Sequence, residues 1–132
     1  MTNDTGRHPQ ILIAEDDSLI RELMKRIVEI EDHWKPTVVA SGAYAVEAWE
    51  NGDFDVILMD LRMPEIDGIE ATRQIREHEK RSGRKRTPII AFTVMVGEEY
   101  RRKCNEAGMD DYIEKPGNMK KVVDTIYKHL PL

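Results

Sequence analysis

Cysteine is almost missing from this chain: Cys104 is the only one in 132 residues. That excludes an intrachain disulfide and fits a reducing cytoplasm, where we expect the protein to reside. Histidine is sparse as well. His8, His33, His78 and His129 are scattered, and no Cys/His pair stands at zinc-ligand spacing. No apolar run approaches the ~20 residues that span a bilayer, so no membrane association is expected. The opening segment, MTNDTGRHPQ, lacks the apolar core of a secretory leader. An excess of positive charge is missing too. The formal net charge is -5, which speaks against direct nucleic-acid binding, because phosphate contacts need basic stripes. The basic run at the end of EHEKRSGRKR reads as a solvated loop for the same reason.

What is present suits one soluble domain. Apolar residues make up 40% and charged residues 34% of the chain, enough for an ordinary core under a polar surface. Residues 1–9 read as a disordered leader and residues 10–132 as the domain, with no linker, repeat or low-complexity segment. Short apolar runs alternate with helical patterns. QILIA, PTVVA, DVILM, PIIAF and DYIE read as strands. Between and after them lie five helical stretches. In the first, Leu19, Ile20, Leu23, Met24, Ile27 and Val28 recur at helical spacing after a cap at Asp17 or Ser18. In the last, Met119, Val122, Val123, Ile126 and Leu130 are expected to face inward. Near-continuous apolar strands alternating with helices predict an α/β domain whose parallel sheet is covered on both faces.

Ligands of such sheets bind beyond the carboxyl ends of the strands. The first strand ends in Glu15-Asp16-Asp17, the third in Asp60, the fourth in Thr93 and the fifth in Lys115-Pro116. Three carboxylates on one rim repel and raise one another's pKa values. A hard divalent cation relieves this: magnesium takes oxygen ligands, uses one or two carboxylates and leaves positions for water and phosphate oxygens. A carboxylate beside such a cation and a lysine can act as nucleophile toward phosphorus. Singly, each residue is ordinary. EDD is a plausible helix cap, Asp60 a loop-start residue, Thr93 a hydroxyl serving backbone groups and Lys115 a surface lysine. Asp17 could replace Glu15 in the acidic pair, although a capping role for Asp17 is preferred.

The motifs ILIAEDD, VILMDLRMPEIDGIEATRQIR, PIIAFT and CNEAGMDDYIEKP occur in this order from Ile11 to about Leu130. Together they resemble the receiver domain of two-component response regulators. They are most similar to receivers of hybrid sensor histidine kinases or stand-alone single-domain regulators. The resemblance implies a flavodoxin-like (βα)5 fold with strand order 2-1-3-4-5. It implies a signalling phosphoacceptor, not an enzyme in the usual sense, that assists its own phosphorylation and dephosphorylation. By the same resemblance Asp60 is the phosphoacceptor. Asp16, Glu15, Asp60 and the backbone carbonyl of Arg62 hold Mg2+, with Mn2+ as a substitute. Thr93 and Lys115 contact the phosphoryl group, and Tyr112 is the switch aromatic. The Lys115-Pro116 peptide is commonly cis in such domains. A histidine kinase or histidine phosphotransfer protein is the implied donor. The face of the fourth helix, fifth strand and fifth helix is the implied switch, binding a partner or a second copy.

Three positions depart from the family pattern. Val94 follows Thr93 where a small residue is usual, and is expected to restrict access to the phosphoryl group or hinder Tyr112. Gly117 follows Lys115-Pro116 where a bulky apolar residue is usual. Arg62 is long and charged and is expected to affect phosphoryl lifetime. Two other readings remain. One is a pseudo-receiver that works unphosphorylated. The other is a haloacid-dehalogenase-type phosphohydrolase, weakened because Asp60-Leu61-Arg62 lacks that family's second acid. Trp34 and Trp49 are expected to pack or to sit at a boundary. Cys104, on an apolar helical face, is expected to be inert.

Overall fold

The computed structural model describes residues 8–31, 33–115 and 117–131. Residues 1–7 of the expected leader lie outside that set. So does Pro116, and with it the expected cis peptide. Pro9 is buried, and its carbonyl accepts a hydrogen bond from Lys35 N at 2.8 Å.

Five strands alternate with five helices: β1 (Gln10–Ala14), α1 (Ser18–Ile30), β2 (Lys35–Val39), α2 (Gly42–Asn51), β3 (Val56–Met59), α3 (Gly68–Ser82), β4 (Ile89–Thr93), α4 (Glu98–Ala107), β5 (Asp111–Glu114) and α5 (Met119–His129). The strands form one parallel sheet in the order β2-β1-β3-β4-β5. This is the flavodoxin-like arrangement that the resemblance implies. The order reverses between β1 and β3, so the ends of these two strands meet at the crevice where such sheets bind ligands.

Strand periodicity sorts the core into two layers. Ile11, Ile13, Val56, Leu58, Ile90 and Phe92 point to one face, where Met24, Ile27 and Val28 of α1 and Val122 and Ile126 of α5 cover them. Leu12, Ala14, Ile57, Met59, Ile89 and Ala91 point to the other, beneath Ala45, Val46 and Trp49 of α2, Ile75 of α3 and Cys104 of α4. With both faces covered, β1 after Gln10, all of β3 and β4 up to Phe92 carry only apolar side chains, which fixes where polar chemistry can begin. Among the described residues no helix is long and apolar enough to cross a membrane.

The helix starts follow capping chemistry. Asp17 accepts from Leu19 N and Ile20 N, Ser41 from Tyr44 N, Asp67 from Glu70 N and Asn118 from Lys121 N. Three expectations shift. Leu19 and Leu23 are exposed, because they share a stripe with Arg26 and Ile30 that lies off the Met24-Ile27-Val28 face. Met119 is exposed, since it opens α5 at the rim before the helix reaches the sheet. β2 begins one residue early, at Lys35, whose partner in β1 is Gln10. Both tryptophans are buried core residues; Trp49 Nε1 donates to Thr87 Oγ1 at 3.1 Å.

Candidate functional site

The acidic cluster forms because two neighbouring strands end at the same height. Glu15 N donates to Val39 O at 3.0 Å and Asp60 N to Ala14 O at 3.1 Å, so the ladder continues one residue past β1 and β3. It delivers both side chains to the crevice. Glu15 is 2% exposed and Asp60 5%, whereas Asp16 faces solvent. Carboxylate oxygens of Glu15, Asp16 and Asp60 lie within 4.8 Å of one another. Asp17 is not among them. Its carboxylate caps α1, and its N–H donates to Glu15 Oε2 at 3.1 Å.

Lys115 reaches the cluster from the end of β5. Its Nζ donates to Asp60 Oδ2 at 2.9 Å and also to Glu15 Oε1, and its side chain is almost entirely buried. A backbone bond from Lys115 N to Thr93 O, 2.8 Å, sets this position. Desolvation works against the ammonium, but hydrogen bonds to Glu15 and Asp60 outweigh it and hold its pKa above the usual lysine range. Glu15 is held above the usual carboxylate range, first by burial and further by the charge of Asp60, despite its bond to Lys115. These directions agree once the charges are counted. One ammonium faces three carboxylates, so the site keeps an excess of negative charge.

The residues present fit a hard cation. Their donors are all oxygens, they are close together, and the Asp16 side is open to water. Among the described residues the remaining oxygen of Asp60, Oδ1, accepts only a long bond from Arg62 N at 3.3 Å.

The other expected residues stand further back. Thr93 is 0% exposed, and its hydroxyl accepts from Met95 N at 3.1 Å. Among the described residues the hydroxyl has no hydrogen bond to the Asp60 carboxylate or to the Lys115 ammonium. The Arg62 side chain is exposed beside a cavity lined by Asp16, Met63, Met95 and Tyr100. Val94 is 55% exposed, turned largely toward solvent. Tyr112 lies outside the cluster, between α4 and β5, with its hydroxyl buried.

Two further residues hold the site in place. Arg21 Nη1 donates to the carbonyls of Glu15 and Asp16 at 2.9 and 3.3 Å, tying down the segment that carries the acids. A helical side chain leans toward the N-terminus of its helix, so an arginine in the first turn after EDD was the available signal. Gly68 packs directly on Asp60: an added Cβ would lie 2.0 Å from its carbonyl oxygen.

Known proteins match this geometry. The family model for the response regulator receiver domain matches residues 11–127. The transcriptional regulatory protein ResD of Bacillus subtilis is 39% identical over 92% of this chain, a match covering 46% of that protein. The sensor protein GacS of Pseudomonas syringae is 32% identical over 94% of this chain and 14% of that protein. The chain thus spans less than half the length of these curated relatives. Among solved structures, the receiver domain of a sensor histidine kinase from Pseudomonas aeruginosa is 34% identical, with a TM-score of 0.82, and covers 92% of this chain and 97% of that one. That structure has a magnesium ion coordinated in its active-site cleft. A Saccharomyces cerevisiae response-regulator receiver, solved with a histidine phosphotransfer protein, is 28% identical with a TM-score of 0.86, covering 93% and 89%.

Proposed function

Because this chain belongs to the response regulator receiver family, we propose that it takes a phosphoryl group from a phosphohistidine donor onto Asp60 and carries that charge change to a partner-binding face. The observation that supports this best is the placement of Asp60: fixed at the end of a buried strand, 5% exposed, and held by Lys115 Nζ at 2.9 Å.

In the transfer, an Asp60 carboxylate oxygen attacks phosphorus as the P–N bond to the donor imidazole breaks. The imidazole leaves with the electron pair and is protonated by solvent. Asp60 comes from a rigid strand, so little positional entropy remains to be lost at the moment of attack. Lys115 offsets charge on the phosphoryl oxygens. Asp16 and Glu15, with Asp60 and the Arg62 carbonyl, would hold Mg2+ or Mn2+. A divalent cation held there would supply charge neutralisation at the phosphoryl oxygens. The Thr93 hydroxyl accepts from Met95 N, which leaves its own proton available for a phosphoryl oxygen. Hydrolysis by water at the same phosphorus returns Asp60.

The reading extends to the partners. A histidine phosphotransfer protein or histidine kinase would be the donor, in the cytoplasm. The α4–β5–α5 face, with Tyr112 at its edge, would be the switch surface for a partner or a second copy. Incubation with magnesium and acetyl phosphate, followed by intact mass, tests the reading. A single phosphoryl adduct on wild type and none on Asp60→Asn is expected; equal adducts on both, or none on either, would contradict it. Steady turnover of phosphate esters would instead favour a phosphohydrolase. Tryptophan fluorescence is the poorer readout, since Trp34 precedes β2 and Trp49 bonds Thr87 just before β4, both toward the strand ends opposite Asp60.

A further inference from the structure

The seam between α4 and β5 carries an arrangement that the phosphoacceptor chemistry does not use. The Arg101 guanidinium lies over the Tyr112 ring, 4.5 Å from its centroid, and Arg101 Nη2 meets Glu114 Oε1 at 3.4 Å. Tyr112 and Glu114 are two apart on β5 and so share a face. One side chain from α4 therefore straps two successive residues of that face. Beneath the strap, the Tyr112 hydroxyl is buried and has no hydrogen-bond partner among the described residues. An unpaired buried hydroxyl opposes closure of the seam, so contacts to the ring have to hold it there. Tyr112 packs against the core cluster that contains Cys104, and Arg101, Cys104, Met109 and Tyr112 line a cavity of about 180 Å³ along the seam.

The strap is anchored on the strand that bears on the site. Glu114 pairs with Thr93 across the β4–β5 ladder, and the next residue, Lys115, holds Asp60. α4 itself follows β4 after only a short loop. Movement of Thr93 thus reaches both ends of the strap.

We propose that Arg101 is a clip, a positioning residue that closes the α4–β5 seam over Tyr112, and that it biases the same two-state movement as phosphorylation. The second half of this rests on the reading of Asp60 given above; the first half does not. Both devices favour the seam-closed state, so each weakens the dependence on the other.

Cys104 is a built-in reporter. It is 3% exposed and lines the seam cavity together with Tyr112, and no other cysteine is present. Its reaction with Ellman's reagent requires local opening of the seam. In Arg101→Ala this reaction is expected to run about fivefold faster, the scale set by one exposed cation–π contact and one exposed ion pair. Arg101→Lys, which keeps the charge but loses the planar stacking, should fall between the two. Magnesium with beryllofluoride should slow the reaction of Arg101→Ala back toward wild type, and Asp60→Asn in that background should abolish the slowing. An Arg101→Ala rate equal to wild type, or raised only as far as a shifted unfolding midpoint explains, overturns the clip. An unchanged rate with beryllofluoride, in protein that acetyl phosphate still phosphorylates, overturns the coupling. Faster labelling in protein that takes no phosphoryl adduct leaves the clip standing and removes the reading of Asp60.

Discussion

Gly68 and Asp60 touch so closely that a Cβ on Gly68 would lie 2.0 Å from the Asp60 carbonyl oxygen and 2.9 Å from its carbonyl carbon. The neighbour is backbone, so it cannot turn aside. Gly68 N also donates to Leu61 O at 2.9 Å, which pins the first turn of α3 onto the loop leaving Asp60. Gly68→Ala should therefore destabilise the fold by about 2 kcal/mol, within the range for overpacking. It should also displace Asp60 and slow its phosphorylation. Urea denaturation and acetyl phosphate labelling check the two effects.

The acids after β1 divide their work. Asp16 belongs to the carboxylate cluster, and Asp17 caps α1. If magnesium binds as proposed, saturating it at about 100 times Kd stabilises wild type by about 2.7 kcal/mol. Asp16→Asn should lose most of that gain. Asp17→Ala should cost about 1 kcal/mol through the lost cap and keep the gain. Thermal unfolding with and without magnesium separates the two.

Arg62 holds its N–H on Asp60 Oδ1 while its side chain stands at the mouth of the site. Truncating that side chain leaves the N–H in place and opens the path for water. Arg62→Ala should therefore hydrolyse its phosphoryl group faster than wild type. Loss of adduct with time, followed by intact mass, measures it; an unchanged rate removes Arg62 as a modulator.

Asp111 gives a pH signature away from the site. Burial alone would raise its pKa. Hydrogen bonds from His129 and from Tyr112 N, with Lys128 near, outweigh burial and hold it below the ordinary 3.8. The fold thus favours the ionised carboxylate, and a depressed carboxyl contributes stability above its unfolded pKa that is lost as pH falls through the folded one. Asp111→Asn should cost about 1 kcal/mol at neutral pH. The two stability curves should converge as pH falls below 3.8.

How far the sequence could be read depends on the range of the interactions. Strands buried on both faces announce themselves as apolar runs, and the residue ending each run marks the crevice. That is why Glu15, Asp16, Asp60 and Lys115 could be grouped before their distances were known. Strand order came from resemblance, because periodicity says which face a residue takes but not which strand lies beside it. Leu19 and Leu23 misled because helical spacing admits two overlapping stripes, and only tertiary packing chooses between them. Nothing in the local sequence marks Arg76 among the charged residues of α3. It is mostly buried and binds Gly108 O, Thr87 O and Asp110 Oδ2 at 2.8–2.9 Å, across separations that no local pattern encodes. The Thr93 hydroxyl likewise rests on Met95 N, a loop geometry invisible in the motif.

The most direct test of the account is to locate the phosphoryl group. Wild-type protein incubated with magnesium and acetyl phosphate, trapped with borohydride and mapped by peptide mass, should carry the reduced product at Asp60 alone, and omission of magnesium should prevent it. A product at another carboxylate, or labelling that persists at the same level without a divalent cation, would contradict the assignment of Asp60 and its acidic neighbours.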